Sequence, residues 1–181
     1  DQRGKIAISP FGNPHREMLS GNRCQACYIV DGTAGFGQDA WLFAQCGCRV
    51  ELVERNPAMV MLLEDAIARA DIETMQVVWA DAKEHLSSLK QQSDVVYLDP
   101  MFPERKKSAL VKRNMQALQL LADAPQDEAA LLDAALIAAT KRVVVKRPKW
   151  ADPLPGPAPS FNVETKGYRF DVYVCAANAS G

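Results

Sequence analysis

No apolar run in the 181 residues approaches the length of a membrane span, so a membrane partner is not expected. No targeting leader is visible, although the sequence opens on Asp1 and not on Met. Neither sign of charge is in excess, with 21 Lys and Arg against 22 Asp and Glu. Taken over the whole chain, that balance argues against a polyanion partner. Compositional bias, internal repeats and low-complexity tracts are all missing. At 48% hydrophobic and 24% charged residues, disorder is excluded and one domain with a sizeable core is expected. Cysteines are few and odd in number, five, which disfavours a disulfide scaffold and points to a reducing cytoplasm. Only two histidines occur, His15 and His85, and neither has a partner pattern; both are read as surface residues. Cys24 and Cys27 with Cys46 and Cys48 would suit a four-thiolate zinc site. One pair lies at a buried strand and the other at a helix end, so small buried hydrophobes are the favoured reading and no metal is expected.

What is present is an alternation of strand and helix signals from residue 26 onward. Residues 1–25 are read as a loop or the remnant of a small subdomain, and 26–181 as one catalytic domain. Strands are predicted at Ala26–Val30, Arg49–Val53, Gln76–Trp79, Asp94–Leu98 and Arg142–Lys146. Helices are predicted at Gln38–Gln45, from Asn56-Pro57 onward, at Asp81–Leu89, Ser108–Ala122 and Asp127–Thr140. Asn56 followed by Pro57 is N-cap chemistry, and Met59, Val60, Leu62, Leu63, Ala66, Ile67 and Ala70 follow the 3.6-residue period. Trp79 ends its strand and is expected in the core. Pro148 to Pro159, with five prolines and one glycine, is a loop. Phe161–Thr165 and Tyr168–Cys175 flank a Lys166-Gly167 turn as a hairpin. The implied fold is α/β, a doubly wound, mostly parallel, Rossmann-like sheet with a C-terminal antiparallel hairpin.

Ligands in such sheets sit outside the carboxyl ends of the strands, at the switch point. Asp31, Glu54, Asp81 and Asp99 each fall at or just past such an end. The stretch Asp31-Gly32-Thr33-Ala34-Gly35-Phe36-Gly37 joins the first strand to the first helix. Gly35-Phe36-Gly37-Gln38-Asp39-Ala40 fits a loose dinucleotide fingerprint, and Glu54 follows Gly35 by 19 residues, the place for a ribose-binding acid. That pattern alone is compatible with a nicotinamide cofactor and an oxidoreductase. A pyrophosphate, however, wants an unopposed helix N-terminus, and here Asp31 and Asp39 flank the turn. S-adenosylmethionine, a cofactor without phosphate and with a sulfonium and an ammonium, suits those acids better. Asp31 and Asp39 would face its cationic part, Glu54 its ribose hydroxyls, and Asp81 with Ala82 its adenine. For Asp81, a helix N-cap is an equal reading.

A second motif, Asp99-Pro100-Met101-Phe102, follows the fourth strand. It resembles the Asp/Asn-Pro-Pro-Tyr/Phe motif of enzymes that methylate exocyclic amino groups of bases. An aromatic amine is a poor nucleophile because its lone pair is delocalised. The Asp99 carboxylate and Pro100 carbonyl would accept its two N–H groups and turn the lone pair toward the methyl donor. Phe102 would stack on the base, worth about 1–3 kcal/mol.

On these residues the chain resembles the small-subunit ribosomal RNA methyltransferase J family, which methylates a guanine N2 in 16S rRNA. The resemblance is carried by Asp31 to Gly37, Leu52-Val53-Glu54-Arg55-Asn56-Pro57, and Val95 to Pro103 continuing through Lys107-Ser108-Ala109-Leu110-Val111-Lys112. Lys141 to Pro148 and Lys166-Gly167-Tyr168-Arg169-Phe170-Asp171 complete it. It implies S-adenosylmethionine contacts at Gln38-Asp39, Glu54-Arg55, Asp81-Ala82 and Asp99, and a substrate of 16S rRNA or the small ribosomal subunit. The chain departs from the family's usual arginine at Gln38 and small hydroxyl residues at Asp81 and Ala82. The alternative substrate is a DNA adenine or cytosine amino group.

Residues 99–150 hold ten of the 21 basic residues, in two clusters. Arg105, Lys106, Lys107, Lys112 and Arg113 follow the second motif; Lys141, Arg142, Lys146, Arg147 and Lys149 lie around the fifth strand. Taken alone, such clusters read as solvated surface. Beside a base-methylating motif, Lys106, Lys107, Lys112, Arg113, Lys146, Arg147 and Lys149 are the expected phosphate contacts, with Trp150 placed to meet a base.

Overall fold

The computed structural model describes residues 27–89, 92–100 and 127–175. In chain order the elements are β1 (Tyr28–Asp31), α1 (Gln38–Gln45), β2 (Arg49–Glu54), α2 (Pro57–Ala70), β3 (Met75–Trp79) and α3 (Ala82–Leu89). Then come β4 (Ser93–Leu98), α4 (Glu128–Ala138), β5 (Ala139–Pro148), β6 (Phe161–Glu164) and β7 (Tyr168–Val174). The residue-26 boundary, the Ser108–Ala122 helix and residues 1–25 lie outside the described residues.

The strands form one sheet in the order β3-β2-β1-β4-β5-β7-β6. β1 through β5 pair in parallel, and β7 runs antiparallel to both β5 and β6. The chain therefore winds outward from β1 to β3, then returns to lay β4 on the other side of β1. That reversal opens a crevice between β1 and β4, the place where this class of sheet binds ligands.

Alternation along the buried strands sends side chains into two cores. Ile29, Val50, Leu52, Val95, Tyr97 and Val144 pack with Phe43 of α1 and Leu63 of α2. Val30, Val53, Val96, Leu98, Val143 and Val145 pack with Leu86 of α3 and Leu131, Leu132 and Ala135 of α4. Strands covered on both faces must be apolar at consecutive positions, as Val95-Val96-Tyr97-Leu98 is. Each large aliphatic side chain buried this way contributes about 1.5–3 kcal/mol.

The helix ends follow their cap chemistry. Asn56 Oδ1 accepts from the N–H groups of Ala58 and Met59, with Pro57 opening α2. Asp127 caps α4 through Ala130 N–H. α1 has no side-chain cap and begins from Gly37 at φ 68°. A Cβ on Gly37 would lie 2.9 Å from Leu63 Cδ2, so both the backbone angle and the packing demand glycine.

Several expectations are corrected. Trp79 is 69% exposed and donates its indole N–H to Arg55 O at 3.0 Å. β3 is an edge strand, so its last side chain has no covering layer. His85 is no surface residue: its Nε2 lies 2.6 Å from Oε1 of Glu51, a buried carboxylate of β2 that also accepts from Gln76. Leu62, Ala66 and Ala70 of the α2 stripe are exposed, and the buried face is Met59, Val60 and Leu63. β5 extends beyond Arg142–Lys146 at both ends, because β4 pairs with it from Ala139 and β7 pairs with it as far as Pro148.

Candidate active site

The rim at the carboxyl ends of β1, β2, β4 and β5 gathers the acids singled out in the sequence. Asp31 closes β1 and is 2% exposed. Its Oδ1 accepts from Thr33 N–H at 3.0 Å, a two-residue Asx turn that folds the chain into the glycine stretch. Gly35 and Gly37 take φ 51° and 68° there. Burial, with the nearby Asp39 and Asp99 carboxylates adding to it, pushes the Asp31 carboxyl up to about 7; the Thr33 N–H opposes the rise.

Glu54 ends β2, and its Oε1 accepts from Asn56 N–H at 2.8 Å, which ties the acid to the cap of α2. Arg55 lies between them in sequence, its carbonyl held by Trp79. Asp81 precedes α3 and accepts from Glu84 N–H at 3.2 Å, so the structure makes it a helix N-cap. Ala82 beside it is buried against Leu86 and Val30. Gln38 and Asp39 are in the first turn of α1.

Asp99 and Pro100 stand across the crevice, directly after β4. The Asp99 N–H donates to Thr33 Oγ1 at 2.6 Å, and Gly32 N–H donates to Tyr97 O at 2.9 Å. Two bonds therefore lock the second motif to the glycine stretch, 66 residues away in the chain for the Thr33 bond. Thr33 is a site residue that the sequence reading missed. Its signal was a hydroxyl two residues past a strand-ending aspartate.

Lys146 is the larger surprise. It was expected on RNA phosphate, but its Nζ lies 2.8 Å from Asp39 Oδ2 and 3.0 Å from Asp99 Oδ2. Asp39 Oδ2 also accepts the Tyr97 hydroxyl at 2.6 Å. Burial works against the Lys146 charge, but Asp99 and Asp39 outweigh it and hold the ammonium above its ordinary range. Burial raises the Asp99 carboxyl; Lys146 holds it back, Asp39 adds to the rise, and Arg147 opposes it. The Asp99 side chain keeps 41% of its surface open, which tempers that rise. Burial, then the Asp99 and Asp39 charges, lifts the Tyr97 hydroxyl well above its usual range.

Arg147 is corrected as a phosphate contact. It is 3% exposed, donates to Asp152 O at 3.1 Å and to Glu128 Oε1 at 3.3 Å, and so joins β5 to α4 and the following loop. Strand alternation explains the pair: Lys146 points to the α1 face and Arg147 to the α4 face. Lys149 remains on the surface, paired with Glu164 at 2.9 Å, and Trp150 next to it is exposed. Phe102, Lys106, Lys107, Lys112 and Arg113 lie outside the described residues. Among the described residues, no group of three or more His, Cys, Asp or Glu could hold a metal ion, and no helix is long and apolar enough to cross a membrane.

A groove of about 360 Å³ runs between α1 and α2, lined by Phe36, Gly37 and Gln38 at the glycine turn and by Trp41, Leu63, Ile67 and Met75 among others. It contains none of the rim carboxylates, so the chemistry belongs to the crevice.

Comparison with known proteins agrees with this geometry. Residues 19–175 match the model of the family described as "Putative SAM-dependent methyltransferase". The chain is 52% identical to ribosomal RNA small subunit methyltransferase J of Shewanella sp. (strain W3-18-1), over 90% of this chain and 71% of that protein. It is 47% identical to the protein of the same name from Shewanella amazonensis, over 90% and 74%. Among solved structures it is similar to a SAM-dependent methyltransferase from Neisseria gonorrhoeae, with 34% identity and a TM-score of 0.67 over 85% of this chain. This chain spans 63% of that solved chain.

Proposed function

Because this chain belongs to the ribosomal RNA small subunit methyltransferase J family, whose cofactor is S-adenosylmethionine, we propose that it methylates the exocyclic N2 of a guanine in 16S rRNA of the small ribosomal subunit. The observation that carries the reading is the 2.6 Å bond from Asp99 N–H to Thr33 Oγ1, which fixes the acceptor motif against the cofactor turn.

The rim fits the cofactor. Asp31, Asp39 and Asp99 set three carboxylates against the Lys146 ammonium, an acidic excess that favours a cationic ligand and repels a diphosphate. Glu54 stands at the end of β2, where it would meet the ribose hydroxyls, and Gln38, Arg55, Asp81 and Ala82 would meet the remaining groups. When bound, S-adenosylmethionine would supply a methyl group on a sulfonium, the S–C bond breaking to a neutral thioether as the amine lone pair forms the new N–C bond. Asp99 and the Pro100 carbonyl accept the two N–H bonds of the acceptor amine and turn its lone pair outward. Asp99 then takes the proton that the nitrogen sheds, next to the charge that develops there. Phe102 stacks on the base. Lys106, Lys107, Lys112, Arg113 and Lys149 meet backbone phosphates, so RNA affinity falls with salt and weakens when Lys106, Lys107 and Lys149 become Ala.

Residues 26–181 form the catalytic unit, and a small-subunit or assembly-intermediate substrate implies a cytoplasmic enzyme. The family match leaves the nicotinamide oxidoreductase and DNA amino-group readings without support. The test is mass mapping of 16S rRNA nucleosides from a deletion strain, complemented with wild type or with Asp99→Ala. Loss of one N2-methylguanine, restored by wild type and not by the variant, is expected. An unchanged nucleoside profile on deletion would refute the substrate.

A further inference from the structure

Lys146 lies at the meeting point of the two halves of the rim. Its Nζ bridges Asp39 of α1 and Asp99 after β4 at 2.8 and 3.0 Å, and it sits 5.0 Å from the centroid of the Tyr168 ring. The ammonium has three donors, and two are committed to carboxylates. Two negative charges against one positive leave the local potential negative, which repels phosphate. The side chain is 21% exposed, so an RNA strand would have to break both ion pairs to reach it.

The contacts of Asp99 are equally specific. Oδ2 takes Lys146 and its N–H takes Thr33, while Oδ1 has no partner among the described residues. Lys146 therefore holds the carboxylate and Thr33 holds the backbone of the same residue, leaving one carboxylate oxygen uncommitted among the described residues. We infer that Lys146 is a positioning residue for methyl transfer: by bridging Asp39 and Asp99 it keeps the Asp99 carboxylate ionised and turned toward the acceptor amine. The inference rests on the acceptor role proposed above for Asp99. Lys146 itself touches neither substrate nor cofactor in this account.

Removing the ammonium has a defined electrostatic consequence. Among the described residues, the charged and titratable groups that act on or are coupled to Asp99 are Lys146 and Arg147 from β5, Asp39 from α1, Asp31 from β1 and Tyr97 from β4. Without Lys146, burial and the Asp39 charge favour the protonated carboxyl, and among the described residues Arg147 opposes them. A protonated Asp99 offers a weaker acceptor to the amine and has no room for its proton. The cost is therefore largest at low pH and shrinks as pH rises, which simple loss of packing would not produce.

The experiment compares wild type, Lys146→Met and Lys146→Arg, with Lys146→Gln in place of the Met variant if that one does not fold. Single-turnover transfer to small-subunit rRNA is followed from pH 5.5 to 9, alongside S-adenosylhomocysteine affinity and RNA affinity against salt. In Lys146→Met the rate near neutral pH should fall roughly tenfold or more and the acid limb move up by about one pH unit or more, with partial recovery at pH 9. Lys146→Arg should keep the limb near its wild-type position, and RNA affinity and its salt slope should stay unchanged. An unmoved acid limb in Lys146→Met overturns the inference, and a reduced salt slope with that unmoved limb makes Lys146 a phosphate contact. A second measurement needs no substrate: the Asp99 carboxyl titration, read by NMR on protein carrying carbon-13 aspartate and assigned with Asp99→Asn. A raised titration in Lys146→Met upholds the inference even if wild type proves inactive on rRNA, in which case the substrate assignment alone fails. An unshifted titration refutes it.

Discussion

On the β1–β3 side of the crevice, each strand-end carboxylate accepts from the backbone of its own loop: Asp31 from Thr33 N–H, Glu54 from Asn56 N–H and Asp81 from Glu84 N–H. On the β4–β5 side, the partners come from elsewhere. The Asp99 N–H donates to the Thr33 hydroxyl 66 residues away, and its carboxylate pairs with Lys146, which also reaches across to Asp39 of α1, 107 residues away. The first arrangement makes rigid, locally folded acceptors, suited to holding a cofactor in one pose. The second couples two loops, so the acceptor group depends on the assembled sheet. On the proposed function, the side whose strand-end acids are held locally is the cofactor half, and the side held only by the assembled sheet is the transfer half.

That contrast can be broken most sharply at Asp99. Asp99→Ala should lower single-turnover transfer by about a thousandfold, as loss of a preorganised charge acceptor does, while S-adenosylhomocysteine and RNA affinities move little. If the variant kept a tenth of wild-type activity, the β4 side would not be the transfer half. Glu54→Gln tests the other region. A hydrogen bond to a charged group is worth about 1.5–3 kcal/mol, so cofactor affinity should fall tenfold or more by calorimetry with RNA affinity unchanged. Equal losses in both affinities would erase the division of labour.

Asp31 gives a pH signature. Its carboxyl is pushed up to about 7 by burial, above the value near 4 of an unfolded aspartate. The folded state therefore binds the extra proton between those limits. The associated stability is fully present below about pH 4 and is lost as pH rises through about 7. Wild type should lose thermal stability from pH 5 to 8 by an amount that Asp31→Asn does not show. Parallel melting curves for the two proteins across that range would remove Asp31 as the cause. The smallest effect is expected at Asn56. Asn56→Ala removes the cap of α2 and should cost about 1 kcal/mol in denaturant unfolding, with transfer at saturating cofactor unchanged. A loss of transfer would show that the N-terminus of α2 is coupled to the β4 side.

Much of this was legible in the residues. The strand-helix alternation, the Asn56-Pro57 helix start, the acids at strand ends and the position of Asp99-Pro100 directly after the fourth strand all read correctly, because each is set by neighbours within a few positions. The failures share one cause. Trp79 is exposed because β3 is an edge, His85 meets Glu51 because α3 lies over β2, and Lys146 and Arg147 face opposite layers because β5 is covered on both. Strand order and layer are not local properties. A lysine closing a buried strand beside β4 was the available signal for Lys146, and a run of basic residues concealed it.

By itself, then, the sequence determined the elements, their caps, the glycine turn after β1 and the place of Asp99-Pro100 after β4, since turn chemistry and periodicity act over two to four residues. Only the tertiary structure decided which basic residue enters the site. The order β1-β4-β5 brings Lys146 alongside Asp99 and under Asp39, and strand alternation sends Arg147 the other way, into the α4 layer. An ion pair across 107 residues follows from how the sheet is wound, because charge acts through space and not along the chain.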